Sequence, residues 1–419
     1  MRIGIVGTGI AGLTAGWLFK QAGFCVTLFE KHHQLGMDAH AVGFQVNSQE
    51  IRADIPPRMF NSSLWPTLSR LYSELGVEKL PVAATKSFGR FGDTQGLFKL
   101  GDSYRPAWSV GWMLDPRMRR IVKDIKRMVE SAPRDLKVGL GDTTMGSYLA
   151  DNRYSIDFKS LFLYPSLSST VCTCSFAALD DYPAEILLDT LLKLTSGEGL
   201  FRTRFGTADV ERRLTSGLDE IRLGADICSI RATDTTAQIE TAAGETFAFE
   251  HVIVATQANS AIGLLPATAE REIAALSRFR YQDVAVSLHR DTRLMPARNK
   301  DRAAFNFLTS ATNDAAMCTI DMSKFCPEWQ LESPIFQTIM PLESPTPDSV
   351  IGSAKMQRPV VDQASLAGVT ELERLHQNEG RRIWFSGSYA SLGVPLLESG
   401  VVSSLNVAKR LGVEWPARS

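Results

Sequence analysis

The sequence predicts an α/β fold: a Rossmann-like dinucleotide-binding domain interleaved with an α+β substrate domain. A glycine-rich turn, Gly7-Thr8-Gly9-Ile10-Ala11-Gly12, lies between a short β-branched run and a helical stretch near the start of the chain. An acid, Glu30, stands at the end of the next β-like run. The 419 residues exceed one compact core, yet no repeat or low-complexity linker divides them.

Composition sets the outer limits. A hydrophobic content of 44% and a charged content of 22% are those of a globular protein. The net charge of -1 gives no electrostatic case for a nucleic-acid partner. No apolar run reaches the ~20 residues of a transmembrane segment. The N-terminal apolar run carries three glycines and reads as strand, turn and helix rather than a signal peptide. Exposed apolar surface leaves peripheral membrane contact open. Six cysteines form no CxxC pair and no zinc spacing, so no metal is expected. Cys172-Thr-Cys174 is either a redox or metal pair or simply reduced thiols; reduced thiols suit a cytoplasmic protein.

Arg2 to Val6 suits a buried parallel strand, Ile10 to Gln21 a helix, and Phe24 to Phe29 a second strand, which makes a βαβ unit. Pro66 to Gly76 reads as a helix with Leu68, Leu71 and Leu75 on one face. Gly89 to Ser109 reads as strands with turns. Met118 to Val129 reads as a basic helix started by Asp115-Pro116, its charges facing solvent or lipid headgroups. Trp108 to Met118 either packs in the core or lines a lipophilic tunnel. Asp180 to Thr195 reads as helical, Ile221 to Ala255 as successive strands, and Phe279 to His289 as extended. Ser333 to Pro347 is loop-like, Ile383 to Phe385 a short strand, and Val401 to Leu411 a closing helix.

The glycine turn carries the chemistry. Gly7 permits the tight turn, Gly9 lets backbone approach a pyrophosphate, and Gly12 lets the helix pack on the sheet. The helix N-terminus, at Ile10 and Ala11, offers amide hydrogens and a positive dipole end to phosphate. Glu30, with Lys31 beside it, would accept the adenosine ribose hydroxyls. Gly139-Leu-Gly141 lacks a preceding strand and a third glycine, so a second dinucleotide domain is not expected.

From these residues onward the chain resembles the flavin amine oxidase and phytoene desaturase superfamily. That resemblance implies FAD, an amine-oxidase-like two-domain architecture and an oxidoreductase. It implies an FAD-binding domain from residues 1–80, 205–265 and 380–419, and a substrate domain from 81–204 and 266–379. Gly36 matches a loop near the pyrophosphate, although Met37 and Asp38 replace the usual glycine and Arg or His. Asp226 to Ile230, with Ile227, resembles the strand whose backbone reads adenine, and Val252 to Ala255 the strand that returns to the cofactor. Gly387 matches the C-terminal flavin segment, with Ser388 in place of an acid, and Gly400 and Val401 open the final helix.

Nearly the whole chain is similar to a bacterial branch of predicted NAD/FAD-binding, amine-oxidase-like proteins that often sit beside cyclopropane-fatty-acyl-phospholipid synthases. The matching stretches include Trp65 to Leu68, Asp181 to Ala184, Leu288 to Pro296 and Arg358-Pro359-Val360. The resemblance implies hydride removal from a hydrophobic, acyl-type substrate by a dehydrogenase or desaturase, with O2 or another electron acceptor. The alternatives are an amine or amino-acid oxidase and a flavin-binding protein whose catalysis has decayed. Asp54 to Asn61 and Ala390 to Leu397 depart from the branch where substrate should meet the ring. Tyr281 to His289 lacks the lysine many amine oxidases place near flavin N5, and Cys326 lies too early for a covalent link in the C-terminal segment.

Three side chains are candidate catalytic residues. Arg58 either neutralises the flavin or an anionic headgroup, or pairs with Asp54. Tyr389 either walls the substrate pocket or belongs to the core. His289 either acts as a base or carboxylate ligand, or is hydrogen-bonded at a surface. Glu398 either caps the final helix or meets the ribityl chain.

Overall fold

The computed structural model describes residues 1–101, 115–195 and 197–416. A five-stranded parallel sheet forms one layer, in the order Ile383–Phe385, His251–Val254, Arg2–Val6, Cys25–Glu30, Glu220–Leu223. Its central strands are apolar on both faces because helices cover one side and a three-stranded meander the other. The meander comprises Ile227–Ala232, Ala237–Thr241 and Thr246–Phe249. The expected run of strands from Ile221 to Ala255 thus divides between two sheets. Ile227 belongs to the meander.

The first helix, Ile10–Gln21, packs against the last, Leu397–Arg410. Their contact is close because Gly400 meets Ile10: a Cβ at Gly400 would lie 2.7 Å from Ile10 Cγ2. The Ser404 hydroxyl donates to the Ala11 carbonyl at 2.7 Å.

A second, seven-stranded sheet carries a separate core. Its order is Val350–Pro359, Tyr281–His289, Phe336–Ile339, Ala316–Asp321, Phe305–Thr309, Lys86–Arg90, Phe98–Leu100. Phe336–Ile339 lies in the stretch that reads as loop; prolines flank it, and burial on both faces removes the alternation that would mark a strand.

Helices cover this sheet. Pro116–Val138 is longer than the expected basic helix. Asp115 caps it by accepting from the Arg117 amide at 2.8 Å. It continues through Pro133, whose missing N–H leaves the carbonyl of exposed Val129 without its helical donor. The expected Asp180–Thr195 helix is broken: Phe176–Asp180 ends before Pro183, and Ala184–Leu194 begins after it. Between Ile156 and Val171 the chain takes two π-helical turns, at Lys159–Leu163 and Leu167–Val171. The strand reading for Gly89 to Ser109 holds at Lys86–Arg90 and Phe98–Leu100; residues 102–114, with most of the Trp108–Met118 tunnel reading, lie outside the described residues.

Candidate active site

The glycine turn is built around three different constraints. Gly7 has φ +104°, and its amide donates to the Phe29 carbonyl at 2.8 Å. A Cβ at Gly12 would lie 1.9 Å from the Gly7 carbonyl oxygen, so the helix packs directly on the turn. At Gly9 a Cβ would meet nothing within 4 Å, because this residue faces a cavity. The first helical bond here runs from Leu13 N to Gly9 O at 3.0 Å, which leaves the amides of Ile10, Ala11 and Gly12 outside the helical ladder. No acid occupies the helix's first turn. These features fit the phosphates of a dinucleotide.

Glu30 is buried beneath this loop. Its Oε2 accepts from the Thr8 amide at 3.0 Å and the Thr8 hydroxyl at 2.6 Å; Oε1 accepts from the His32 amide at 3.1 Å and retains lone-pair capacity. The carboxylate therefore braces the turn as well as being available to a ribose. Lys31 is exposed beside it. Ile227 does not line the cavity, although the turn before it is fixed where the Ala225 amide donates to the Glu30 carbonyl at 2.8 Å. The Gly36 amide donates to the Thr8 hydroxyl at 2.8 Å, and a Cβ there would come within 3.2 Å of the Gly9 nitrogen.

Position 38, where the resemblance leads one to expect Arg or His, holds a buried aspartate that accepts from Arg52 Nε at 2.7 Å and from the Thr207 hydroxyl at 2.9 Å. Its amide donates to buried Glu211 at 2.8 Å. Burial, joined by the charge of Asp38, pushes the Glu211 carboxyl up to about 7.

The cavity, of about 640 Å³, begins at Gly9, Ile10 and Ala11. Ala255 to Gln257 and Gly387 to Tyr389 form its next walls. It continues into the second domain between Phe305, Phe307 and Ile339 of the seven-stranded sheet and the helices above them. Met128, Val129, Leu191 and Leu192 line it from two of those helices. Phe162, Leu163, Leu167 and Val171 come from the π-helical turns, a distortion often found at functional sites.

Arg58 lines the cavity. Its Nη2 donates to the Met37 carbonyl at 3.1 Å, and its buried Nε has no partner. Among the described residues it makes no ion pair, with Asp54 or any other acid; Asp54 instead accepts from Thr207. Tyr389 is both core and wall: its ring meets Phe279 edge-on at 4.9 Å, and its buried hydroxyl lacks a partner. Ser388 and Ala255 also line the cavity, whereas Gly400 packs between helices and Val401 is fully buried in the core beneath them.

His289 does not line the cavity. It is fully buried in the seven-stranded sheet, with Nε2 2.7 Å from the Thr338 hydroxyl and Nδ1 accepting from the Asp291 amide at 3.0 Å. Burial pushes its pKa down to about 4, so it is a neutral core histidine. Glu398 caps neither the final helix nor a ribityl site; its carboxylate accepts from the Thr67 and Leu68 amides at 2.9 and 2.8 Å, capping the helix Pro66–Glu74. Cys172 is buried, and its thiol is raised by that burial, the opposite of a reactive thiolate.

The sequence reading missed the contribution of Arg358, Thr170 and Thr173 to the cavity. No curated protein matches the sequence. Residues 5–75 match the family model of an NAD(P)-binding Rossmann-like domain. The whole fold is similar to a CLA-producing fatty acid isomerase from P. acnes, with a TM-score of 0.69, 16% identity and 98% of each chain covered. It is also similar to cyclohexylamine oxidase from Brevibacterium oxydans, with a TM-score of 0.66 and 14% identity over 98% of this chain and 99% of that one. Putrescine oxidase bound to putrescine gives a TM-score of 0.65 at 13% identity, again over 98% and 99% of the chains. Residues 5–75 thus match a Rossmann-like family model within a chain whose two-domain fold is amine-oxidase-like.

Proposed function

We propose that this chain is an FAD-dependent oxidoreductase that removes hydride from a hydrophobic, acyl-type substrate. One observation carries the reading: a single cavity joins the phosphate-ready helix N-terminus to an apolar chamber in the second domain. FAD would be held by the amides at Gly9 to Gly12, by Glu30 and by the walls at Ala255 and Gly387-Ser388. When bound, FAD would accept the hydride and pass the electron pair to an acceptor such as O2.

The remaining work falls to the chain's own residues. The leucines and phenylalanines of the chamber orient an apolar chain and exclude water. Arg58 and Tyr389 both line the cavity, where Arg58 stabilises negative charge. The space in this cavity argues against decayed catalysis, which a blocked chamber would favour. The likeness to amine oxidases supports an amine as the second reading. No described helix is long and apolar enough to cross a membrane, and peripheral contact would suit a lipid substrate.

The test is anaerobic bleaching of the purified, FAD-loaded protein with panels of fatty-acyl compounds and amines, followed by peroxide measurement on admitting air. Bleaching by acyl compounds supports the proposal. Bleaching by amines alone, with peroxide, establishes the second reading instead, and failure to take up FAD removes both.

A further inference from the structure

The chamber is apolar, yet its charged lining is of one sign. Among the described residues that line it, Arg58, Lys86 and Arg358 are cationic and no Asp or Glu is present. Arg358 is the unexplained member. It projects from Val350–Pro359, paired with Gln282 on the neighbouring strand, and is half-buried. Its Nε donates to the Thr173 hydroxyl at 2.9 Å. Thr173 has φ +47°, and its hydroxyl donates onward to the Cys172 carbonyl at 2.8 Å. That chain of bonds orients the guanidinium of this cavity-lining residue, and among the described residues its two terminal nitrogens make no hydrogen bond.

Among the described residues no carboxylate makes an ion pair with Arg358. Burial lowers its affinity for the proton, and the charge of Arg58 works in the same direction. A half-buried guanidinium without a counter-ion among the described residues carries a desolvation cost, and an anion from outside the chain would relieve it. Its fork-like pair of donors suits an oxyanion. The neighbouring Gln357 carbonyl accepts from Gln257 Nε2 at 3.0 Å, so this strand end abuts the Ala255–Gln257 wall of the cofactor half.

We propose that Arg358, oriented by Thr173, binds the anionic head group, carboxylate or phosphate, of a long-chain substrate whose tail occupies the apolar chamber. The inference rests on the oxidoreductase reading above and names its substrate class: an amphiphilic anion rather than an amine. The anion seats at the border between the cofactor and substrate halves, with Arg58 and Lys86 adding positive potential.

The experiment uses FAD-loaded protein and measures displacement of a fluorescent apolar probe by oleate, oleyl phosphate, oleyl alcohol and oleylamine. An anion is expected to bind about tenfold or more tightly than the alcohol. The tighter of the two anions identifies the carboxylate or phosphate source. Arg358→Met should abolish the preference while leaving alcohol binding and FAD content unchanged, and Arg358→Lys should retain part of it. Thr173→Ala, which keeps the cation but frees its plane, should weaken the preference severalfold, and remains informative if Arg358→Met does not fold. Equal binding of anion and alcohol, preference for the amine, or an anion preference that survives both substitutions overturns the proposal. Loss of FAD rather than of anion binding in Arg358→Met also overturns it, by assigning the arginine to the cofactor. Failure of the wild-type protein to hold FAD is a separate result and counts against the underlying reading.

Discussion

Gly9 and Gly12 lie in the same turn but carry different burdens, and alanine at each separates cofactor binding from folding. At Gly9 the backbone has φ -68°, a value any residue adopts, and an added methyl meets no protein atom within 4 Å. Gly9→Ala should therefore change the stability of FAD-free protein by no more than about 0.5 kcal/mol. The methyl would, however, stand where a pyrophosphate approaches the amides. Loss of one charge-assisted bond there, at about 1.5–3 kcal/mol, weakens FAD binding roughly 10- to 100-fold. At Gly12 the same methyl lies 1.9 Å from the Gly7 carbonyl oxygen and 3.2 Å from Ala255 Cβ. Normal contact requires roughly 3.5 Å, and the obstructing atom is backbone that cannot rotate away. Gly12→Ala should cost about 3 kcal/mol of stability with or without FAD. Thermal and urea unfolding of FAD-free protein, with a parallel titration of FAD followed by quenching of its fluorescence, measures both quantities. Wild-type FAD affinity in Gly9→Ala would refute the claim that Gly9 stands open for a phosphate.

Further predictions concern groups around the site. Glu211 titrates at about 7 in the fold against 4.5 unfolded, so the folded state binds its proton more tightly. Stability should fall as pH rises from about 4.5 through 7, by on the order of 3 kcal/mol, and Glu211→Gln should flatten that slope in urea titrations. His289 has the opposite sense: its pKa falls from 6.5 to about 4, so its contribution is lost as pH drops across that interval. His289→Leu should cost about 1–3 kcal/mol by stranding the Asp291 amide, the Thr338 hydroxyl keeping its bond to Thr319, while flavin reduction per folded molecule stays within about twofold; a larger rate loss would return His289 to the active site. Glu398→Ala uncaps the amides of Thr67 and Leu68 and should lower stability by about 1–2 kcal/mol, and an unchanged melting temperature would show the cap to be idle.

What was legible in the sequence was local. The strand, glycine turn, helix and Glu30 lie within residues 2–30, and each glycine's role follows from backbone sterics over a few residues. What was not legible depends on convergence from afar. Glu398 reads as a cap for the nearest helix, but the amides it serves are 331 and 330 residues away in sequence. His289 ends an apolar strand, and only the pairing of that strand with Phe336–Ile339 and Val350–Pro359 shows that its end is interior. Arg358 acquires its role from Thr173, 185 positions away, on a loop that follows two π-helical turns. Such turns leave no periodic signature, because one extra residue per turn only shifts the phase of the apolar pattern.

The packing of Gly400 on Ile10 and the bond from Ser404 to Ala11 have a consequence for biosynthesis. The bonded residues are 393 positions apart, so the first βαβ unit leaves the ribosome long before the helix that covers it. Until that helix arrives, Ile10 and Ala11 have an uncovered apolar flank, and the crevice lacks the wall at Gly387 to Tyr389. Under the proposed FAD-dependent reading, stable loading of the cofactor is expected only after the last helix has been made, with the uncovered flank of the nascent chain open to aggregation until then.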